Sequence, residues 1–285
     1  MDSKTDVKDR PEGEGSSESA LAPAEKRQAR RIAAAPAPVV FEAIRMSGEH
    51  ELSRPLPSLW WSGVAAGFGI STAVLCKGFF VAVLPEADWT PAVSNLGYAV
   101  GFLVVILGRM QLFTENTITP ILPLFFSPTR ANFWRTARLW GVVFGANMLG
   151  CLLAALFIAQ DGALPAKQMH GVLEISRHYA QATAFQHLVW GAPAGFMIAA
   201  LVWMLPSAEG AAKIFAILIM TYMIGFGGLS HVVAGSTELF VLVWRGELTL
   251  SDALFGGIAP ALIGNVMGGT FLFSALAYGQ VREEV

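Results

Sequence analysis

Charge is scarce in this sequence. Only 14% of its 285 residues are Asp, Glu, Lys or Arg, where a soluble protein carries about 25%. What charge there is lies unevenly. Eight of the 19 Lys and Arg precede residue 50 (Lys4, Lys8, Arg10, Lys26, Arg27, Arg30, Arg31, Arg45), and from Ala253 to Val281 there is none. That excludes an ordinary soluble domain, and no nucleic-acid partner is expected. Cysteine is nearly absent. Cys76 and Cys151 both sit in apolar runs with no His or Cys cluster nearby, and read as inert buried thiols, not a disulfide or a metal pair. A phosphate-binding Gly-Lys loop, a nucleophile beside a base and a metal-ligand cluster are all missing. No enzymatic activity, cofactor or metal is expected. No apolar core stands near the start, as a cleavable signal peptide would need.

Apolar residues fill the rest: 54% of the chain, with mean hydropathy +0.54. The composition is that of an all-α, multi-pass membrane protein. Residues 1–37, polar and rich in Ala, Pro, Ser and Glu, read as a disordered tail. Its Lys26-Arg27-Gln28-Ala29-Arg30-Arg31 cluster suits either anionic head groups or plain solvation. Residues 38–54 alternate Val39, Val40, Ala43 and Ile44 with Glu42, Arg45 and Glu49, the pattern of an amphipathic helix at the membrane surface. Residues 55–285 form the membrane domain.

The membrane domain is organised around Gly108–Pro123. An uncharged run of 20 residues, Trp89 to Gly108, is long enough to cross a ~30 Å bilayer core as a helix. It then meets Arg109, Gln111, Thr114, Glu115 and Asn116 before turning apolar again. Broken backbone is tolerated at membrane depth only where protein buries it or a wet cavity lies beside it, so this reads as a discontinuous span. The other segments follow. A first span covers about 58–85, opening on Trp60 and Trp61 at an interfacial belt. Lys77 in its second half reads as snorkelling, or alternatively as a cation beside an anion path. Arg130, Arg135 and Arg138 precede a third span at Leu139–Gln160, and residues 161–180 read as a loop. A fourth span covers about 181–205. A second broken span lies at about 211–229 and 232–245, around Gly225, Gly227 and Gly228. A sixth span covers about 252–280.

Six spans divide into two halves of three, each with its middle span broken. The third and sixth spans carry the similar runs Gly145-Ala-Asn147-Met-Leu-Gly150 and Gly264-Asn265-Val-Met-Gly268-Gly269. Halves of three spans must be oppositely oriented, and inverted repeats with paired breaks place a site near the midplane. The positive-inside rule puts both termini in the cytoplasm, with Arg130, Arg135, Arg138, Lys213 and Arg282 on the inner side and Lys167, Arg177 and Arg245 outside.

Leu112-Phe113-Thr114, Gly228-Leu-Ser-His231 and Gly264-Asn265-Val-Met-Gly268-Gly269 resemble the formate/nitrite transporter family over about residues 55–280. The resemblance implies an aquaporin-like protomer of six spans in a homopentamer, in a bacterial-type cytoplasmic membrane, with one pore per subunit. Its cargo would be small monovalent anions such as formate, nitrite or hydrosulfide, often moving with a proton. It makes His231 the pore histidine that meets and can protonate the anion, Thr114 the hydroxyl opposite, and Leu112 and Phe113 an inner constriction. Tyr98 falls at the outer aromatic gate, Ile224 where the counterpart is often Phe, and Phe102 is a weaker candidate. The residue chemistry points the same way. An ionisable group inside a span is costly and usually functional, and imidazole exchanges a proton near neutral pH.

The departures from the family pattern lie in the breaks. Gln111 stands where an acid is usual, Arg109 where a small residue is, Ser230 for the acid before the histidine, and Gly235 for an Asn after it. Glu115 and Glu238 are added, and Arg109 is expected to pair with one of them, or alternatively to attract the anion. Arg177 is the nearest match to the family's outer-vestibule basic residue, though not a clear one. His170, His178 and His187 read as interfacial. Three functions stay open: a proton-coupled pore for small monovalent anions or their conjugate acids, a neutral-solute channel of aquaporin type, and a non-transporting membrane protein on this scaffold.

Overall fold

The computed structural model describes residues 35–285, and every regular element among them is helical. In chain order these are α1 (Ala37–Ser53), α2 (Leu56–Val83), α3 (Thr90–Leu107), α4 (Ile121–Phe126), α5 (Arg130–Ile158), α6 (Ala166–Ala180), α7 (Ala184–Met204), α8 (Ala211–Phe226) and α9 (Val232–Trp244). The last helical run is α10 (Asp252–Val281), which winds as a wider π-helix over Asp252–Ile258 and Met267–Ser274. By length and apolarity α2, α3, α5, α7 with its extension to Ser207, and α10 can each cross a bilayer. The expected fifth span consists of α8 and α9, of 16 and 13 residues, joined through Gly227–His231. The expected tail and its basic cluster fall outside the described residues, apart from 35–37.

Two of the sequence boundaries move. Residues 161–180, expected to be a loop, contain α6, which buries Gly171, Val172, Leu173, Ile175 and Ser176. A Cβ at Gly171 would strike the Gly78 carbonyl, so α6 lies backbone to backbone on α2. Its charged outer face hid that apolar stripe. The third span starts nine residues early, at Arg130. The Thr129 hydroxyl caps it by accepting from Asn132 N at 3.2 Å, and its arginines find partners at the helix start. Arg138 donates to Leu52 O at 2.7 Å and Arg135 to Glu49 at 3.4 Å.

Helix α1 turns Phe41 and Ile44 into a cluster with Ile118, Leu122, Ala199 and Val281, leaving Val39 and Met46 exposed. Two helix crossings in the rest are alike. In one, α2 crosses α5 so closely that a Cβ at Gly67 would collide with Asn147 O. In the other, α7 crosses α10, and a Cβ at Gly195 would collide with Asn265 O. Glycine is required at both crossings because backbone, not side chain, fills the contact.

The two asparagines at these crossings hold the two breaks. Asn147 Oδ1 accepts from Phe113 N at 2.8 Å, while its Nδ2 donates to Gly63 O and Gln111 O, each at 2.8 Å. Asn265 repeats this pattern: Oδ1 accepts from Val232 N at 2.9 Å, and Nδ2 donates to Gly191 O at 2.9 Å and Ser230 O at 2.7 Å. Backbone groups that leave a helix at membrane depth have no water to satisfy them. Here one amide side chain per break supplies an acceptor and two donors. Both breaks also begin alike, with positive φ at Arg109 (54°) and Gly228 (62°).

Candidate functional site

Helix α3 ends at Leu107, and the chain runs without helical bonding to the short turn Glu115–Thr117. Helix α8 ends at Phe226, and α9 starts at Val232 with His231 as its cap. This brings Thr114 and His231 together: Thr114 Oγ1 lies 2.8 Å from His231 Nε2, with Thr114 fully buried and His231 1% exposed. The other ring nitrogen is already committed. His231 Nδ1 accepts from Ala234 N at 3.2 Å, as an N-cap does. A backbone N–H can only donate, so the neutral ring carries its proton on Nε2, and Nε2–H donates to Thr114 Oγ1. The threonine hydroxyl keeps its own proton to offer to a third party.

The ring of His231 meets Phe102 edge-on at 4.9 Å, and Phe102 meets Tyr98 at 5.4 Å. Tyr98 lines a small chamber of about 60 Å³. On the other side, Leu112 and Glu115, flanking Thr114, line a cavity of about 460 Å³. Phe102, Thr114 and His231 therefore separate the two. The small chamber shares Lys77, Gly225 and Gly228 with a wider vestibule of about 520 Å³ near Arg177 and His170. Cavity, pinch, chamber and vestibule follow one another through the protomer.

The remaining expected residues distribute around this path. Ile224 is fully buried, and its carbonyl accepts from Leu229 N in the second break. Phe113 packs edge-on against Trp140 and Phe144 of α5 (5.7 and 5.2 Å) and lines none of these three spaces. Arg109 and Glu115 both border the large cavity. Among the described residues Arg109 forms no ion pair with Glu115 or Glu238. Its side chain is exposed at the mouth, and one Glu115 carboxylate oxygen is buried without a hydrogen-bond partner. Glu238 is 4% exposed and borders the small chamber with Lys77, on the far side of the pinch from Arg109. The expected pairing with Glu238 fails because the pinch lies between the two cavities, and with Glu115 no ion pair forms although both border the large cavity.

Several departures from the expected pattern are filled from neighbouring elements. Gln111 donates to Glu51 of α1 at 2.7 Å and accepts from Asn116 at 3.0 Å, so the carboxylate arrives from a different helix. Ser230 Oγ lies 2.9 Å from His187 Nδ1. His187, expected at the interface, is 1% exposed and borders the small chamber with Tyr179. A Cβ at Gly235 would collide with the Tyr179 hydroxyl, so the tyrosine occupies the space that a side chain there would need. His187 and Tyr179 gave no periodic signal, since only the crossing of α6 and α7 over the second break brings them in.

Comparison with known proteins gives a consistent result. A sequence model of the family described as Formate/nitrite transporter matches residues 38–279. The chain is similar to the inner membrane protein YfdC of Escherichia coli (strain K12), 38% identical over 246 residues, covering 86% of this chain and 79% of that one. Among solved structures it resembles an FNT family ion channel (TM-score 0.74, 19% identity, 85% of this chain and 98% of the other). It also resembles a pentameric formate channel with formate bound (TM-score 0.68, 17% identity, 80% and 98%).

Proposed function

Because the chain belongs to the formate/nitrite transporter family, we propose that it conducts small monovalent anions, or their conjugate acids, across a membrane through a pore in each protomer. The observation that carries this reading is the buried hydrogen bond between Thr114 and His231 at 2.8 Å, standing between two cavities. The pinch around it is apolar, with Phe102 beside the ring. A bare charge is very costly to bury in such a place, whereas a neutral acid is not. His231 acts on the passing oxygen through Thr114. The imidazole holds the threonine oxygen, and the threonine hydroxyl faces the anion. A proton reaching the anion here turns it into the neutral acid that crosses. Tyr98, Phe102 and Ile224 gate the outer side of the pinch and Leu112 the inner side, with Arg109 and Glu115 setting the charge of the inner mouth.

In the same reading the two similarly built halves are oppositely oriented, α8 and α9 together make one crossing, and both termini face the cytoplasm. Helix α1 lies along the membrane surface, the membrane is the bacterial inner membrane, and five protomers assemble. The likeness to YfdC and to the pentameric channel supports the last two points.

The test is stopped-flow uptake of formate, nitrite and acetate into proteoliposomes from pH 5 to 8. Uptake should rise as pH falls and drop at least tenfold in His231→Ala. Thr114→Val, which leaves Nε2–H without an acceptor, should also cost about 1–3 kcal/mol in stability, while Thr114→Ser keeps both flux and fold. Absence of flux for every small acid in folded protein would overturn the reading.

A further inference from the structure

We propose that the small outer chamber is a loading site for one small monovalent acid, where Lys77 receives the anion and Glu238 takes its proton. This rests on the transport reading above and adds to it a second proton-handling group on the outer side of the pinch.

The geometry is that of an enclosed site walled by both signs of charge. Lys77 comes from α2 and Glu238 from α9, and both border the same chamber of about 60 Å³, room for a few waters or one small acid. Among the described residues neither makes an ion pair within 4 Å or a side-chain hydrogen bond. Glu238 is nonetheless 4% exposed, and Lys77 has only the face of the Tyr98 ring, 5.7 Å from its Nζ. A buried carboxylate and a lysine with no protein partner, turned to one cavity, mark a place where something else completes the coordination. Tyr179 and His187 border the same space, and His187 is oriented by Ser230 through Nδ1. This leaves its Nε2 free for a ligand.

Charge balance decides what can enter. Lys77 and Glu238 together are neutral. A bare anion would leave the chamber with net negative charge in a low-dielectric enclosure, where Coulomb terms are large. A neutral acid adds none. On arrival its O–H bond breaks and an O–H bond forms on Glu238. The freed anion pairs with the Lys77 ammonium, and no electrons are transferred. On leaving toward His231 the anion takes the proton back. The titratable groups bordering the chamber with Glu238 are Lys77 of α2, Tyr98 of α3, His178 and Tyr179 of α6, and His187 of α7. The one acid of α10, Asp252, is held at the surface by Thr249. Cys151 of α5 is away from the chamber, its single S–H within reach of Val233 O at 3.3 Å and Gly67 O at 3.4 Å, and His178 is exposed. Among the described residues Lys77 is thus the one fixed cation bordering the chamber.

The test is infrared difference spectroscopy on full-length protein in lipid nanodiscs, on adding ¹³C-formate at constant pH. The expected result is a new protonated-carboxyl band that does not shift with the isotope. It should be absent in Glu238→Gln and at least tenfold weaker at equal formate in Lys77→Met. No such band in wild-type protein, or a band that survives in Glu238→Gln, overturns the proposal. The wild-type arm needs no variant to fold. Flux separates this from the reading it rests on. In proteoliposomes under a potassium–valinomycin potential, wild-type formate uptake should ignore voltage, and Glu238→Gln uptake should follow it because Lys77 then admits the bare anion. Wild-type uptake that is absent for every acid defeats the transport reading and leaves the infrared result to decide the site. Voltage-independent uptake in Glu238→Gln, with an unchanged pH profile, defeats the loading site alone.

Discussion

Arg109 holds a left-handed backbone conformation, φ 54°, that costs an L-residue about 1–2 kcal/mol. The equivalent place in the second break has Gly228 at φ 62°, which adopts it freely. Strain of this kind persists where the surroundings over-determine it, and it concentrates at functional sites. Here the strained residue presents a guanidinium at the mouth of the large cavity. Arg109→Gly should therefore be as stable as wild type or up to about 1 kcal/mol more so, while a β-branched Arg109→Val should lose about 1–3 kcal/mol. Thermal unfolding in detergent distinguishes the two. If both variants unfold alike, backbone strain at this position is not what the conformation costs.

At the scale of elements, the breaks depend on two amide side chains. Asn147→Leu strands the break's Phe113 N and Gln111 O at once and removes the extra bond to Gly63 O. Each buried unsatisfied group costs about 1–3 kcal/mol, so the variant should lose more than about 3 kcal/mol and elute largely aggregated after solubilisation. Asn265→Leu should behave the same way, whereas Asn147→Asp, which keeps the acceptor but loses both donors, should fall between wild type and Asn147→Leu.

The vestibule side carries a separate tether. Arg177 of α6 donates to Glu247, beyond α9, from Nε at 2.6 Å and Nη2 at 2.8 Å. The hydrogen bond from Arg177 holds the Glu247 carboxyl below its usual value. A lowered folded value means that the pair's contribution is complete above the unfolded value, about 4.3, and is lost as pH falls through the folded one. Between pH 5 and 8 stability should not respond to this pair. Below about pH 4 wild type should lose a small increment, under about 1 kcal/mol for so exposed a pair, that Glu247→Gln lacks. Acid unfolding curves of the two proteins test this.

Taken whole, the molecule exposes more large apolar side chains than a soluble protein does. Trp61, Phe157, Phe185, Phe255 and Phe271 are each more than 60% exposed, on helices that are otherwise well packed. Contiguous apolar surface of this kind marks lipid or partner contact. If five protomers assemble, light scattering in mild detergent should give a protein mass five times 30.5 kDa. A monomer in several detergents would refute the pentamer and leave a pathway within one protomer untouched.

The composition, the charge-free runs and their interruptions were enough to make this an all-helical membrane protein with breaks near Arg109–Asn116 and Gly227–His231. The reason is that lipid leaves unpaired backbone almost no options. The same constraint made Thr114 and His231 conspicuous, as polar residues placed where polar residues are costly. Other features depend on which faces meet, and no single segment encodes them. Helix α6 hid behind its own charges. His187 and Tyr179 lie 43 and 51 residues before Ser230 and join its surroundings only through packing. The tautomer of His231 follows from its place as a helix cap. The separation of Arg109 from Glu238 follows from the pinch between their cavities. Local sequence fixed what must be buried; the contacts between α2, α5, α7 and α10 decided which polar groups meet, because hydrogen bonds and charges act over a few ångströms in space whatever their distance along the chain.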